Sequence, residues 1–123
     1  MPIIAIENRE GISPKLKAEI AKEMTAAVHE IILSPNDLIS VIFHDLPAYN
    51  TYRSGEPTTE TLIFCHIRLG RTDQAVLNLA KAMSRIWSQK TKVPESEIEV
   101  AVASYPAKHV VRGGARLEEP PIV

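Results

Sequence analysis

A chain of 123 residues with 14 lysines and arginines against 15 aspartates and glutamates carries a formal net charge of -1 at pH 7, and its pI is about 6.4. That length suits one compact domain spanning 1–123, and a balance in which neither sign dominates excludes a general nucleic-acid or membrane-surface role. Hydrophobic residues make up 45% and aromatic ones 5%, so the core is expected to be aliphatic.

The chain opens Met1-Pro2-Ile3-Ile4-Ala5-Ile6. A proline in second place favours removal of the initiator methionine, which would leave Pro2 as a free secondary amine able to take up and return a proton. Residues 2–8 read as an apolar strand, and Gly11 breaks it. The run is too short for a signal peptide, and Glu7, Arg9 and Glu10 follow at once. No stretch approaches the roughly 20 apolar residues of a membrane span. With Cys65 as the single cysteine, no internal disulfide can form. A soluble cytoplasmic protein is the expectation.

Ser13-Pro14 then opens a helix, serine as cap and proline in the first turn. Leu16, Ile20, Met24, Ala27 and Ile31 recur at helical spacing and predict its buried stripe. Ser34-Pro35-Asn36-Asp37 ends the helix, and residues 38–46 predict a second strand. Residues 48–60, with Asn50, Ser54, Gly55 and Pro57, read as a loop or short hairpin. Residues 61–68 predict a third strand, Thr72-Asp73 a second helix start, and residues 98–105 a fourth strand after Val93-Pro94. In the second helix Val76, Leu79, Ala80, Met83, Ile86 and Trp87 mark the buried face. Beyond Lys108 the chain can add a brief edge strand and turn, and Glu118-Glu119-Pro120-Pro121 reads as a loose terminus.

Two halves of this series are copies. Sliding the chain by 59 positions puts Gly11 on Gly70 and aligns residues 3–48 with 62–107 without a gap. Ile4 meets Ile63, Arg9 meets Arg68, Met24 meets Met83, Pro35 meets Pro94 and Val41 meets Val100. Two β-α-β repeats, about 2–48 and 61–107, therefore predict an α+β fold. Its four-stranded mixed sheet would carry both helices on one face, each crossover being right-handed. The strands at 38–43 and 62–65 are apolar at odd and even positions alike, as in sheets buried on both sides. A chain this short has nothing left to cover the second face, so a homo-oligomer is expected.

Chemistry concentrates at the turn His66-Ile67-Arg68-Leu69-Gly70-Arg71-Thr72-Asp73. Two arginines flank a glycine where a strand hands over to a helix N-terminus, a place suited to an anion or simply to solvated side chains. The first half has Arg9 and Gly11 but Ile12 where Arg71 stands, and Thr61 where Pro2 stands. One half has the terminal proline and the other the extra arginine. His29 lies beside the predicted stripe, on the helix surface or partly packed. Tyr49 and Tyr52 either line a pocket or cover the sheet. His44, His66 and His109 have no metal-ligand spacing among themselves or with Cys65, and neither a phosphate loop nor a Gly-x-Ser-x-Gly elbow is present. No metal or cofactor is assigned.

Together these pieces resemble the tautomerase superfamily, and within it the group that fuses two β-α-β units in one chain. Met-Pro-Ile-Ile-Ala-Ile and Val41-Ile42-Phe43-His44-Asp45-Leu46-Pro47 look like the strands of 4-oxalocrotonate tautomerase, and Gly70-Arg71-Thr72 like its carboxylate-holding turn. Arg68-Leu69-Gly70-Arg71 with His29 is more similar to cis-3-chloroacrylic acid dehalogenase. The resemblance implies Pro2 as general base and acid, Arg68, Arg71 and His29 as groups that bind and polarise a substrate carboxylate, Tyr52 as a pocket aromatic, and a homotrimer. Where the dehalogenase places its water-activating carboxylate this chain has Arg112, and Ala101 stands for its pocket tyrosine.

The expected activity is tautomerisation of a small 2-oxo or enol carboxylate. Hydration, dehalogenation or decarboxylation of small unsaturated or oxo acids by the same proline is the alternative. A catalytically silent ligand-binding or assembly domain is the third.

Overall fold

In the computed structural model, which describes residues 1–123, strand β1 (Ile3–Arg9) leads into helix α1 (Pro14–Ile32) and returns as β2 (Ser40–Leu46). The hairpin β3 (Tyr52–Arg53) and β4 (Glu56–Pro57) follows. The pattern then repeats as β5 (Thr61–Arg68), α2 (Asp73–Thr91), β6 (Ile98–Tyr105), and the hairpin β7 (Val111–Arg112) and β8 (Ala115–Arg116). The 59-residue offset maps α1 onto α2 residue for residue. It also carries the first hairpin onto the second, beyond the 3–48 and 62–107 spans legible in the sequence.

Local chemistry explains the helices. The Ser13 hydroxyl accepts from Leu16 N at 3.1 Å with Pro14 behind it, and Thr72 does the same for Ala75 N at 3.2 Å. Both helices stop at a left-handed residue, Leu33 and Lys92, whose amides bond back to His29 O and Ser88 O. Thr72→Ala should lower stability by about 1 kcal/mol, visible as a lower urea midpoint at unchanged slope.

The sheet order is β2-β1-β5-β6, parallel within each half and antiparallel where β1 meets β5. Both helices lie on one face. Ile20, Met24, Val28 and Ile32 of α1 are fully buried there with Leu79, Met83 and Trp87 of α2. They cover Ile4, Ile6, Ile63, Cys65 and Ile67 of the central strands. The α1 stripe is thus centred on Val28 and Ile32, while Leu16, Ala27 and Ile31 pack at its margin. Burial without a charged neighbour pushes the Cys65 thiol up to about 12.

The other face is open in the single chain. Ile42 is 50% and Phe64 40% exposed. Paired polar side chains share that face, with His44 Nδ1 at 2.6 Å from Glu7 and His66 Nδ1 at 2.7 Å from the Tyr105 hydroxyl.

The tail departs from the expected loose terminus. Pro120 is buried, and Val123 O accepts from Thr72 N at 3.2 Å. Local composition predicted a mobile end, but long-range contacts with the β5–α2 turn hold it.

Candidate active site

The sheet topology decides what meets at the head of β1. Pro2 is buried and its carbonyl accepts from Ser40 N at 3.0 Å, fixing it beside the start of β2. Because β5 runs antiparallel to β1, with Ile3 opposite His66, the end of β5 and its Arg68 arrive at the same corner. β6 is parallel to β5, so the hairpin β7–β8 reaches that corner too. Tyr52 lies on the other hairpin, at the far end of β1 and β2, and is 55% exposed. Within one chain it does not join Pro2.

The α-amine at the head of the chain, here on Met1, has its pKa lowered first by burial and then by the positive charges of Arg68 and Arg112. Arg68 is 4% exposed, and its Nη1 donates to Glu118 O at 2.7 Å. Burial lowers its pKa and the nearby Glu119 carboxylate opposes that. Its Nε is buried with no partner. A desolvated guanidinium with an unused donor is a costly arrangement that an anionic ligand would relieve.

Arg71 occupies a different position from the one a simple carboxylate clamp would give it. Its Nη1 donates to Arg68 O at 2.7 Å, and its Nη2 to Ser34 Oγ at 2.9 Å and to Ile32 O at 3.4 Å. The guanidinium therefore ties the β5–α2 turn to the C-terminal end of α1. Burial first, and then the charge of Arg68, push it down to about 10. Arg71→Ala should cost about 2–3 kcal/mol by leaving these acceptors unpaired, read again from a urea midpoint.

His29 belongs to the same chain of contacts, with Nδ1 2.7 Å from Ser34 O. A carbonyl can only accept, so Nδ1 carries the proton. Nε2 is then an acceptor in neutral His29 and a donor only in the imidazolium.

Gly70 makes the turn possible. Its φ is +129°, and a Cβ there would stand 3.4 Å from Pro120 Cγ, so a side chain would be strained and would press on the tail. Next to this turn lies a cavity of about 430 Å³, lined by Leu33, Pro35 and Leu38 on one side and by Arg68, Arg116 and Glu119 on the other. Of the sequence-predicted site residues only Arg68 lines it.

The sequence presents Arg112 only as a replacement for a carboxylate, and Glu119 only as tail. The offset that relates the halves could have found both, because it places Arg53 on Arg112 and Glu60 on Glu119. In the first half Arg53 grips Glu60 through Nε at 3.0 and 2.9 Å and through Nη2 at 2.5 Å. In the second half the equivalent pair is open, with Arg112 acting on the terminal amine and Glu119 on Arg68.

Residues 2–60 match the family profile described as tautomerase enzyme. A probable tautomerase of Lactococcus lactis subsp. lactis is 41% identical over 56 residues, which are 46% of this chain and 92% of that protein. The chain belongs to the tautomerase family. A Streptococcus thermophilus probable tautomerase is 36% identical over the same share. These relatives correspond to one of the two β-α-β units.

Over nearly its whole length this tautomerase-family chain is similar to N1, a member of the cis-3-chloroacrylic acid dehalogenase family. The TM-score is 0.92 at 28% identity, covering 97% of this chain and 85% of that one. It is also similar to Pt0534, solved after inactivation by 2-oxo-3-pentynoate, with a TM-score of 0.86 at 26% identity over 94% and 96% of the two chains. The native fused 4-OT shares the fold, with a TM-score of 0.87 at 23% identity over 94% of this chain and 95% of that one.

Proposed function

We propose that the chain is an isomerase that tautomerises a small 2-oxo or enol carboxylate, with Pro2 as the proton-transfer group once Met1 is removed. The observation that carries this reading is the position of the terminal amine, partly buried and within the fields of Arg68 and Arg112. An ordinary α-amine titrates at about 7.7–8.0. Burial and two guanidinium charges favour its neutral form, which is the form a base requires near neutral pH. The same surroundings bear on the Pro2 nitrogen when it becomes the terminus.

Neutral Pro2 takes the proton from the enol hydroxyl or an adjacent carbon and returns it to the other position. Arg68 holds the substrate carboxylate, Arg112 adds positive charge, and both stabilise the negative charge that builds on the substrate oxygen. Arg71 holds the turn that presents Arg68 and adds its own charge to the corner. His29 offers Nε2 to the substrate, and Tyr52 would reach a site from a neighbouring subunit.

That subunit is part of the proposal. An open sheet face with Ile42 and Phe64 half exposed is what a second copy would cover. Structures of the same fold are described as trimers, for instance the F6 fused 4-OT asymmetric trimer, and a homotrimer is the assembly we assign here.

Intact-mass spectrometry of the purified protein tests the first requirement. Loss of the methionine mass is expected, since a Pro2 nitrogen acylated by Met1 has no lone pair to offer. Retained Met1 together with full tautomerase activity on phenylenolpyruvate would overturn the proline mechanism. A second reading, hydration of an unsaturated acid, is favoured by the Glu119 carboxylate on the cavity wall, where it could activate water. Glu119→Gln would abolish hydration but leave tautomerisation in place.

A further inference from the structure

We propose that the first half carries a second carboxylate site, without proline chemistry, around Arg9. The 59-residue offset that places Arg9 on Arg68 also places Thr58 on Leu117, Thr59 on Glu118 and Glu97 on Leu38. These are the wall residues of two separate cavities. One is the cavity at the Arg68 corner. The other, of about 460 Å³, is lined by Arg9, Tyr49, Thr58, Thr59 and Glu97 among its residues. The fold has therefore formed the same recess twice, at opposite ends of the sheet.

Arg9 has the features of a ligand-holding arginine. It forms no ion pair with any side chain. Its Nη1 makes one long bond to Thr58 O at 3.3 Å, and its Nε is buried without a partner. An unpaired buried guanidinium donor costs stability that a carboxylate would restore through a two-point contact. Glu60, next to Thr59 of the recess wall, is held by Arg53 and is not free to serve.

The walls differ in a way that sets ligand chemistry. Glu97 and two threonines stand where the other recess has Leu38, Leu117 and Glu118. The ligand class is therefore a small carboxylate that also carries a hydroxyl, its acid group on Arg9 and its hydroxyl donating to Glu97. Thr61 occupies the place of Pro2, and its nitrogen is an internal amide with no basic lone pair. The site binds and does not turn over.

The test is arginine-selective modification of the intact protein by phenylglyoxal, mapped by peptide mass, with 3-hydroxybenzoate as probe. Modification of Arg9 should become about tenfold slower at a ligand concentration near ten times Kd. That protection should persist in Pro2→Ala and Arg68→Gln. Calorimetry should show one 3-hydroxybenzoate fewer per chain in Arg9→Gln than in the wild type, with tautomerase turnover retained. Equal Arg9 modification with and without 3-hydroxybenzoate would overturn the proposal, and so would unchanged stoichiometry in Arg9→Gln. Protection of Arg9 that vanishes in Arg68→Gln would also overturn it, because Arg9 would then report the other corner. The mapping uses wild-type protein, so it decides the matter even if Arg9→Gln fails to fold. Protection of the Arg68 peptide is scored separately and bears only on the proline site.

Discussion

Pro2→Ala should lower kcat for tautomerisation of phenylenolpyruvate or 2-hydroxymuconate by about 10²–10⁴-fold, the usual worth of a positioned acid–base group. KM should change little, because the carboxylate contacts come from Arg68 and its neighbours and not from the amine. The loss corresponds to about 3–5 kcal/mol of transition-state stabilisation. A primary amine remains at the head of the variant if its methionine is also removed, so turnover should fall toward but not reach the uncatalysed rate. Protein that keeps Met1 should be slower still, since the nitrogen is then an amide. Wild-type turnover by Pro2→Ala, with Met1 removal verified by mass, would end the proposed mechanism.

Arg68→Gln should have the second largest effect, through two separable routes. A buried charge-assisted contact to a carboxylate is worth about 1.5–3 kcal/mol, so kcat/KM should fall about 10–10²-fold. The second route is a pH shift. Arg68 is one of the charges that hold the terminal amine below its ordinary pKa, and removing it raises that pKa. Activity needs the neutral amine and is lost as pH falls through the pKa, so the acid limb of the pH profile should move to higher pH. The shift is partial, because burial is the larger cause and Arg112 remains. Arg68→Lys separates the two routes: it keeps the charge and so the acid limb, but a point-like ammonium cannot reproduce the guanidinium fork, and KM should rise. An unmoved limb in Arg68→Gln would show that the amine does not sense this arginine.

Much of this fold was legible because it is written twice. Apolar spacing with Ser13-Pro14 and Thr72-Asp73 as start signals located both helices, and the offset reinforced each from the other. The strands followed from their apolar runs, and the mixed order from two crossovers joined at β1 and β5. The site was legible as residue types more than as partners. Arg71 reads in sequence as a free arginine beside a glycine, yet two of its three acceptors are on Ile32 and Ser34, 39 and 37 residues away. The tail reads as loose because its composition is that of a terminus, while the bond that holds it reaches Arg68 from 50 residues away. Contacts of that range leave no local periodicity to read. The opened counterpart of the Arg53–Glu60 pair was hidden for another reason, since the same two residue types occur in both halves and only their partners differ.

The lone thiol gives the fold its own reporter. Cys65 is fully buried on a central strand, with its pKa pushed up to about 12, so at neutral pH it is neither ionised nor reachable by a disulfide reagent. Labelling should proceed only through molecules in which the sheet has opened, since the thiolate is the reacting species. The labelling rate, compared with that of a free thiol, then measures how often the centre of the sheet opens. Oxidant exposure should accordingly spare the Cys65 thiol of the native protein and oxidise it only in the unfolded fraction.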